Sequence, residues 1–160
     1  MISRLSGAIR STWLLLGFVL APALSGCGDD EAIDEAGARM LWEEIQDADY
    51  PSWARAPGWE ERLPSVSAHG QTADVFVNPV TEEALVGSDL EEWPEGSTSV
   101  KDSHRGEEHV LVAAMQKQSG GWFFAEWGTD GAAKYGGLEI GTCTGCHVAA
   151  NDRAQAFELP

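Results

Sequence analysis

Hydrophobic residues recur along this chain in three rhythms, each marking a different kind of segment. Residues 13–24 are almost continuously apolar, follow Arg4 and Arg10, and precede the first acidic residue, Asp29. A run that short does not span a bilayer comfortably, and basic residues ahead of it are the pattern of an export signal. Over residues 31–49 the apolar positions Ile33, Ala36, Met40, Leu41 and Ile45 return every three or four residues, which predicts an amphipathic helix stopped by Pro51. Farther on the period shortens to two, and residues 73–77, 97–101, 110–116 and 122–127 read as strands. Asn78-Pro79 turns the chain into a short helix, 81–86, closed by Gly87, and Ser119-Gly120-Gly121 reads as a hairpin loop. The stretch 51–70, broken by Pro51, Pro57, Pro64, Gly58 and Gly70, predicts an ordered loop whose Trp53 and Trp59 pack on the core edge. Residues 128–142 are rich in glycine and read as loop, with a short final helix from about Cys143. No internal repeat is present. The expected fold class is α+β, with an antiparallel sheet and a few helices.

The export signal ends in Leu24-Ser25-Gly26-Cys27, which resembles a bacterial lipobox. Cleavage ahead of Cys27 makes that cysteine the lipidated N-terminus, and several acyl chains together anchor a protein stably to a membrane. The alternative is an ordinary secretory peptide cut near Ala21 or Ala23, leaving Cys27 as a free thiol. Gly28 in place of aspartate points to the outer membrane, so the expected location is the bacterial periplasm, lipid-anchored to that membrane. The domain reading is therefore a signal peptide at 1–26, an acidic tether at 27–34 and one domain at 35–160, long enough for one core and too short for two. The chain has 26 acidic and 10 basic residues and a formal charge of −16, and loss of Arg4 and Arg10 makes the mature protein more acidic still. Such a surface repels nucleic acid and anionic headgroups. It either draws a basic redox partner or serves solubility.

One motif carries specific chemistry. Cys143-Thr144-Gly145-Cys146-His147 places two thiols to add across the two vinyl groups of haem and an imidazole beside them to ligate iron, which predicts one covalently bound haem c. A structural zinc site would need four ligands, and His69, His104 and His109 lack ligand spacing. A thioredoxin-like pair belongs after a strand near the start of its domain, whereas this one lies near the end of the chain. The group opposite His147 decides whether the iron only passes electrons or also binds small molecules. Met115 and Met40 are conceivable ligands, although both positions also suit packing. His69, His104 and His109 are further candidates, the last two in a charged segment, 101–109, that reads as exposed loop.

With these pieces in order, the chain resembles the cytochrome P460 family, which includes the cytochromes c′-beta. The resemblance runs from about Leu41 to Phe157. It rests on Tyr50-Pro51-Ser52-Trp53, His69-Gly70, Asp74-Val75-Phe76-Val77-Asn78-Pro79, the segment from Pro94-Glu95-Gly96 to Val100-Lys101-Asp102, Gly121-Trp122-Phe123-Phe124, and the haem motif followed by Asn151-Asp152 and Phe157. It implies a sheet of about five strands with haem packed beside it, five-coordinate iron, and a homodimer. It further implies that Lys101 matches the lysine cross-linked to the porphyrin edge in some members, and that Trp93 matches an aromatic over the distal face. A distal carboxylate takes protons in the enzymes of the family. Glu126 and Glu139 lie near the right elements, but neither matches residue by residue. Two functions follow as expectations. One is an exported haem protein that binds small nitrogen-oxide ligands or relays electrons; the other is an enzyme oxidising hydroxylamine or nitric oxide at a Lys101-linked haem.

Overall fold

Period-two patterning produces more sheet than the sequence led us to expect. In the computed structural model the described residues are 32–65, 68–87, 89–148, 151–158 and 160, so the export signal, Cys27 and most of the tether lie outside them. The unit spanning Glu31–Pro160 is α+β. It holds the helices α1 (Glu35–Asp47), α2 (Pro79–Leu85) and α3 (Gly141–His147), and the strands β1 (Ala54–Arg55), β2 (Leu63–Pro64), β3 (Thr72–Val77), β4 (Thr98–Arg105), β5 (Glu108–Gln118), β6 (Gly121–Trp127) and β7 (Ala133–Leu138). All strand pairs are antiparallel in the order β1-β3-β4-β5-β6-β7, and β2 also pairs with β3. Among the described residues no helix is long and apolar enough to cross a membrane.

The pleat sorts the sheet into two faces. Phe76, Val100, Val112, Ala114, Phe123, Ala125 and Trp127 face α1, whose Ala38, Leu41 and Ile45 complete that core. Val75, Val77, Met115, Trp122 and Phe124 point the other way, where Trp93, Ala154 and Phe157 cover part of them. The predicted helix is present but shorter, because the Asp34 carboxylate accepts from Gly37 N–H at 2.9 Å and caps it there. Its buried stripe is also turned: Met40 is 65 % exposed.

Two expectations for loops are corrected. The glycine-rich stretch after Gly128 contains β7, paired along β6. Its glycines serve close approach, since a Cβ on Gly136 would sit 2.7 Å from Ala38 Cβ. The 101–109 segment is a tight hairpin in which β4 and β5 meet at Gly106-Glu107, with Gly106 at φ 60°. His104 is accordingly 7 % exposed, its ring beside that of His109 at 5.1 Å. After β3, Asn78 binds the start of α2 to the edge of β4. Its Oδ1 accepts from Thr81 N–H (3.0 Å), the Thr81 hydroxyl (2.8 Å) and Thr98 N–H (3.1 Å), and its amide donates to the Gly96 carbonyl (2.8 Å). Pro79 then occupies the first helical turn, where its missing N–H costs nothing.

The contact between α1 and β7 yields a stability prediction. Gly136→Ala should destabilise the protein by about 1–3 kcal/mol, because neither a helix backbone nor a strand can yield cheaply to an added methyl. The measurement is urea unfolding, and an unchanged midpoint with an unchanged slope would count against this packing.

Candidate functional site

The face turned away from α1 collects the residues with chemistry. Strand register places Val75, Lys101, Ala113, Glu126 and Tyr135 side by side across five strands, and Val77, Ser99, Met115, Phe124 and Gly137 form the adjacent row. Residues directly opposite one another point the same way, so Lys101 and Glu126 flank Ala113 on one surface, about 10 Å apart at two strand spacings. The small Ala113 leaves the floor between them low.

The C-terminal segment comes down on this surface. His147, the last residue of α3, packs its ring 5.2 Å from that of Phe124. Cys143 is half-buried against the core and Cys146 is exposed. Nδ1–H of His147 donates to the Arg153 carbonyl at 2.8 Å, and since a carbonyl can only accept, this bond sets the tautomer and leaves Nε2 to bind a metal. Burial pushes the His147 imidazolium to a lower pKa; the bond to Arg153 opposes this, and positive charge on His69, Lys101 and Arg153 adds to it. The neutral, metal-binding form is therefore favoured, and those three side chains all act on His147.

Asp152, in the left-handed region at φ 44°, fastens the segment to the sheet. Its carboxylate accepts from Lys117 Nζ (2.8 Å), Trp93 N–H (2.6 Å) and Trp122 Nε1–H (3.0 Å). Burial alone would raise this carboxyl, but the hydrogen bonds from Lys117, Trp93 and Trp122 outweigh it and hold the pKa below the usual carboxylate range. Arg153 adds a 2.8 Å ion pair to Glu139, whose other oxygen accepts from Trp122 N–H at 2.7 Å.

Lys101 is drawn inward. Burial lowers its pKa, and its ammonium lies 5.9 Å from the centroid of the Trp59 ring. Trp59 is itself held by an Nε1–H bond of 2.9 Å to the Ala156 carbonyl. Glu126 accepts from His69 Nδ1–H at 2.8 Å through Oε2, while Oε1 faces the Lys134 ammonium at 3.9 Å, an ion pair beyond hydrogen-bond reach.

No protein-family model and no curated protein matches the chain. What the site can hold is therefore judged on its own donors. They fit a covalently attached haem. Two thiols three positions apart share one side of α3, and the adjoining imidazole is neutral with Nε2 available. Among the described residues no three His, Cys, Asp or Glu side chains cluster as a metal site. Haem iron asks only a single imidazole of the chain, the porphyrin supplying four nitrogens.

Of the residues singled out from sequence, Cys143, Cys146, His147 and Lys101 come together here. Trp93 is 1 % exposed and stands edge-on to Phe157 at 5.3 Å, within the buried cluster against which Cys143 packs. The aromatic beside Lys101 is Trp59, which sequence reasoning left as packing. Met115 lies on this face, next to Phe124. Met40 belongs to α1 on the opposite side of the sheet and cannot reach His147. His104 and His109 are likewise elsewhere, in a polar cluster with Asp74, Asp102 and Tyr50. Glu126 is the carboxylate with a place on the site face, whereas Glu139 is occupied with Trp122 and Arg153. Cys27 lies outside the described residues.

Asp152→Asn tests the fastening, since asparagine tolerates the left-handed backbone but carries no charge. It should cost roughly 1–3 kcal/mol at pH 7. A depressed folded pKa makes the aspartate's contribution full above the ordinary carboxyl value of about 3.9, and lost as pH falls through the folded value. The gap between the variant and wild type in urea unfolding should therefore narrow on acidification, and a gap independent of pH would contradict the assignment.

Proposed function

We propose that this protein is an exported, lipid-anchored haem c protein of the cytochrome P460 type that oxidises hydroxylamine or nitric oxide. The observation that carries the reading is the convergence of His147, Lys101 and Glu126 on one face of the sheet, opposite α1.

Cys143 and Cys146 hold the haem through thioethers, and His147 ligates it through Nε2. When bound, haem supplies an open coordination position for a small nitrogen-oxide ligand and accepts electrons from it. The chain's own groups do the rest. Arg153 keeps the His147 ring oriented through the bond to Nδ1. Burial of Lys101 favours its neutral amine, the form able to bond to the porphyrin edge. Glu126, the carboxylate in the row of Lys101, would take the protons released by hydroxylamine, or by the water that adds to nitric oxide, as either is oxidised. Trp59, Met115 and Phe124 supply apolar walls that limit water and restrict the site to a small molecule. The acidic surface favours a basic redox partner as the destination of the electrons.

A second reading, a non-enzymatic haem protein that binds nitric oxide or relays electrons, draws on the same apolar walls, which suit a small neutral ligand. Lys101 divides the two. Protein produced with haem-maturation machinery should carry one covalent haem per chain, with a peptide containing Lys101 joined to porphyrin by mass and a reduced Soret band displaced to the red. Lys101→Ala should keep the thioether-bound haem and lose the red displacement and hydroxylamine oxidation together. An unlinked Lys101 with an ordinary haem c spectrum would support the gas-binding reading, and protein without haem would sink both.

A further inference from the structure

The Glu126 carboxylate has two competitors for its position. His69, on the turn before β3, holds Oε2 at 2.8 Å, and Lys134 of β7 lies 3.9 Å from Oε1 with 47 % of its side chain exposed. The histidine bond is short and comes from a side chain only a quarter exposed. The lysine pair is longer and solvated, the kind of contact worth at most about 1 kcal/mol. Glu126 shares a row with Lys101 on the face where His147 packs on Phe124, so the imidazole bonded to it stands at the same site and not merely behind the carboxylate.

We propose that His69 is the positioning residue for Glu126. Resting on the reading above, it holds the carboxylate over the site against the pull of Lys134 so that a substrate proton has a fixed acceptor. A carboxylate anchored through one oxygen keeps a lone pair of the other for an incoming proton, and the anchoring bond removes the rotamer freedom that would otherwise be lost on each turnover. The proton arriving from the substrate N–H or O–H converts Glu126 to the neutral acid, and its release to solvent restores the carboxylate. His69 keeps its own Nδ1 proton throughout. Without the imidazole, the carboxylate swings toward the Lys134 ammonium at the edge of the sheet.

The experiment uses the haem-loaded protein and three kinds of variant. His69→Phe removes the donor, His69→Gln replaces it with an amide N–H, and His69→Phe combined with Lys134→Gln removes both partners. In wild type, proton NMR should find a slowly exchanging Nδ1 resonance of His69 that disappears in Glu126→Ala. With hydroxylamine, His69→Phe should lower kcat roughly 10- to 100-fold with KM within about twofold, as loss of an orienting partner typically does. His69→Gln should recover most of that loss, and the double variant part of it, while the haem spectra of all stay those of wild type. An Nδ1 resonance that is missing, or that survives in Glu126→Ala, overturns the proposal whatever the haem does. So does His69→Phe turning over at the wild-type rate, or a loss that neither His69→Gln nor the double variant repairs. If Glu126→Gln itself turns over normally, the role of Glu126 in the reaction fails, and that of His69 with it. If only the His69 variants do, the reading of the site stands without His69.

Discussion

An antiparallel sheet has two faces, and α1 is long enough to cover one of them. Everything distinctive about this protein follows from how the second face is closed. Its strands carry Val75, Val77, Met115 and Phe124 there, too apolar to leave in water, yet among the described residues no second long helix packs on them. The cover is instead the C-terminal segment with Trp59 and Trp93, and the Asp152 carboxylate, accepting from three donors on two strands and a loop, keeps it in place.

That arrangement couples stability to chemistry. The bonds that seat the C-terminal segment also aim its last helix, because Arg153, next to Asp152, presents the carbonyl that orients His147. Lys101 and Glu126 stand on strands locked by register, so their spacing is set by the sheet and not by loops. Rigid strands hold a lysine and a carboxylate at a fixed separation, while Cys143, Cys146 and His147 stand on the short helix near the chain end.

The opposite face shows what the same residue types do when they serve the fold. Asp74 accepts from Arg55 at 2.7 Å and Arg62 at 2.8 Å, and Asp102 accepts from the Tyr50 hydroxyl at 2.8 Å, close to His104 and His109. Burial and the Asp102 carboxylate beside it push the Tyr50 hydroxyl up in pKa, so it remains a donor. The charged groups there pair with one another or with Tyr50. Position relative to the pleat, and not residue type, separates the two clusters.

Period and motif made much of this legible without a structure. The helix before Pro51, four of the strands and the haem motif with its single imidazole are local features, because hydrophobic spacing and thiol spacing act over a few residues. The lysine followed from resemblance. Strand β7 was hidden because its glycines read as loop, and Gly136 is a glycine so that β7 can lie against Ala38 of α1, a contact between residues about a hundred positions apart in sequence. Glu126 was one of two carboxylates near the right elements until register set it across Ala113 from Lys101, and Trp59 one of seven tryptophans until the Ala156 carbonyl held it beside that lysine. The chain alone thus determined that two thiols and an imidazole stand together, since all three fall within five consecutive residues. Only the tertiary structure decided which carboxylate, which aromatic and which histidine stand beside them, because partners from different strands meet through pairing and the side of the pleat, which no local pattern encodes.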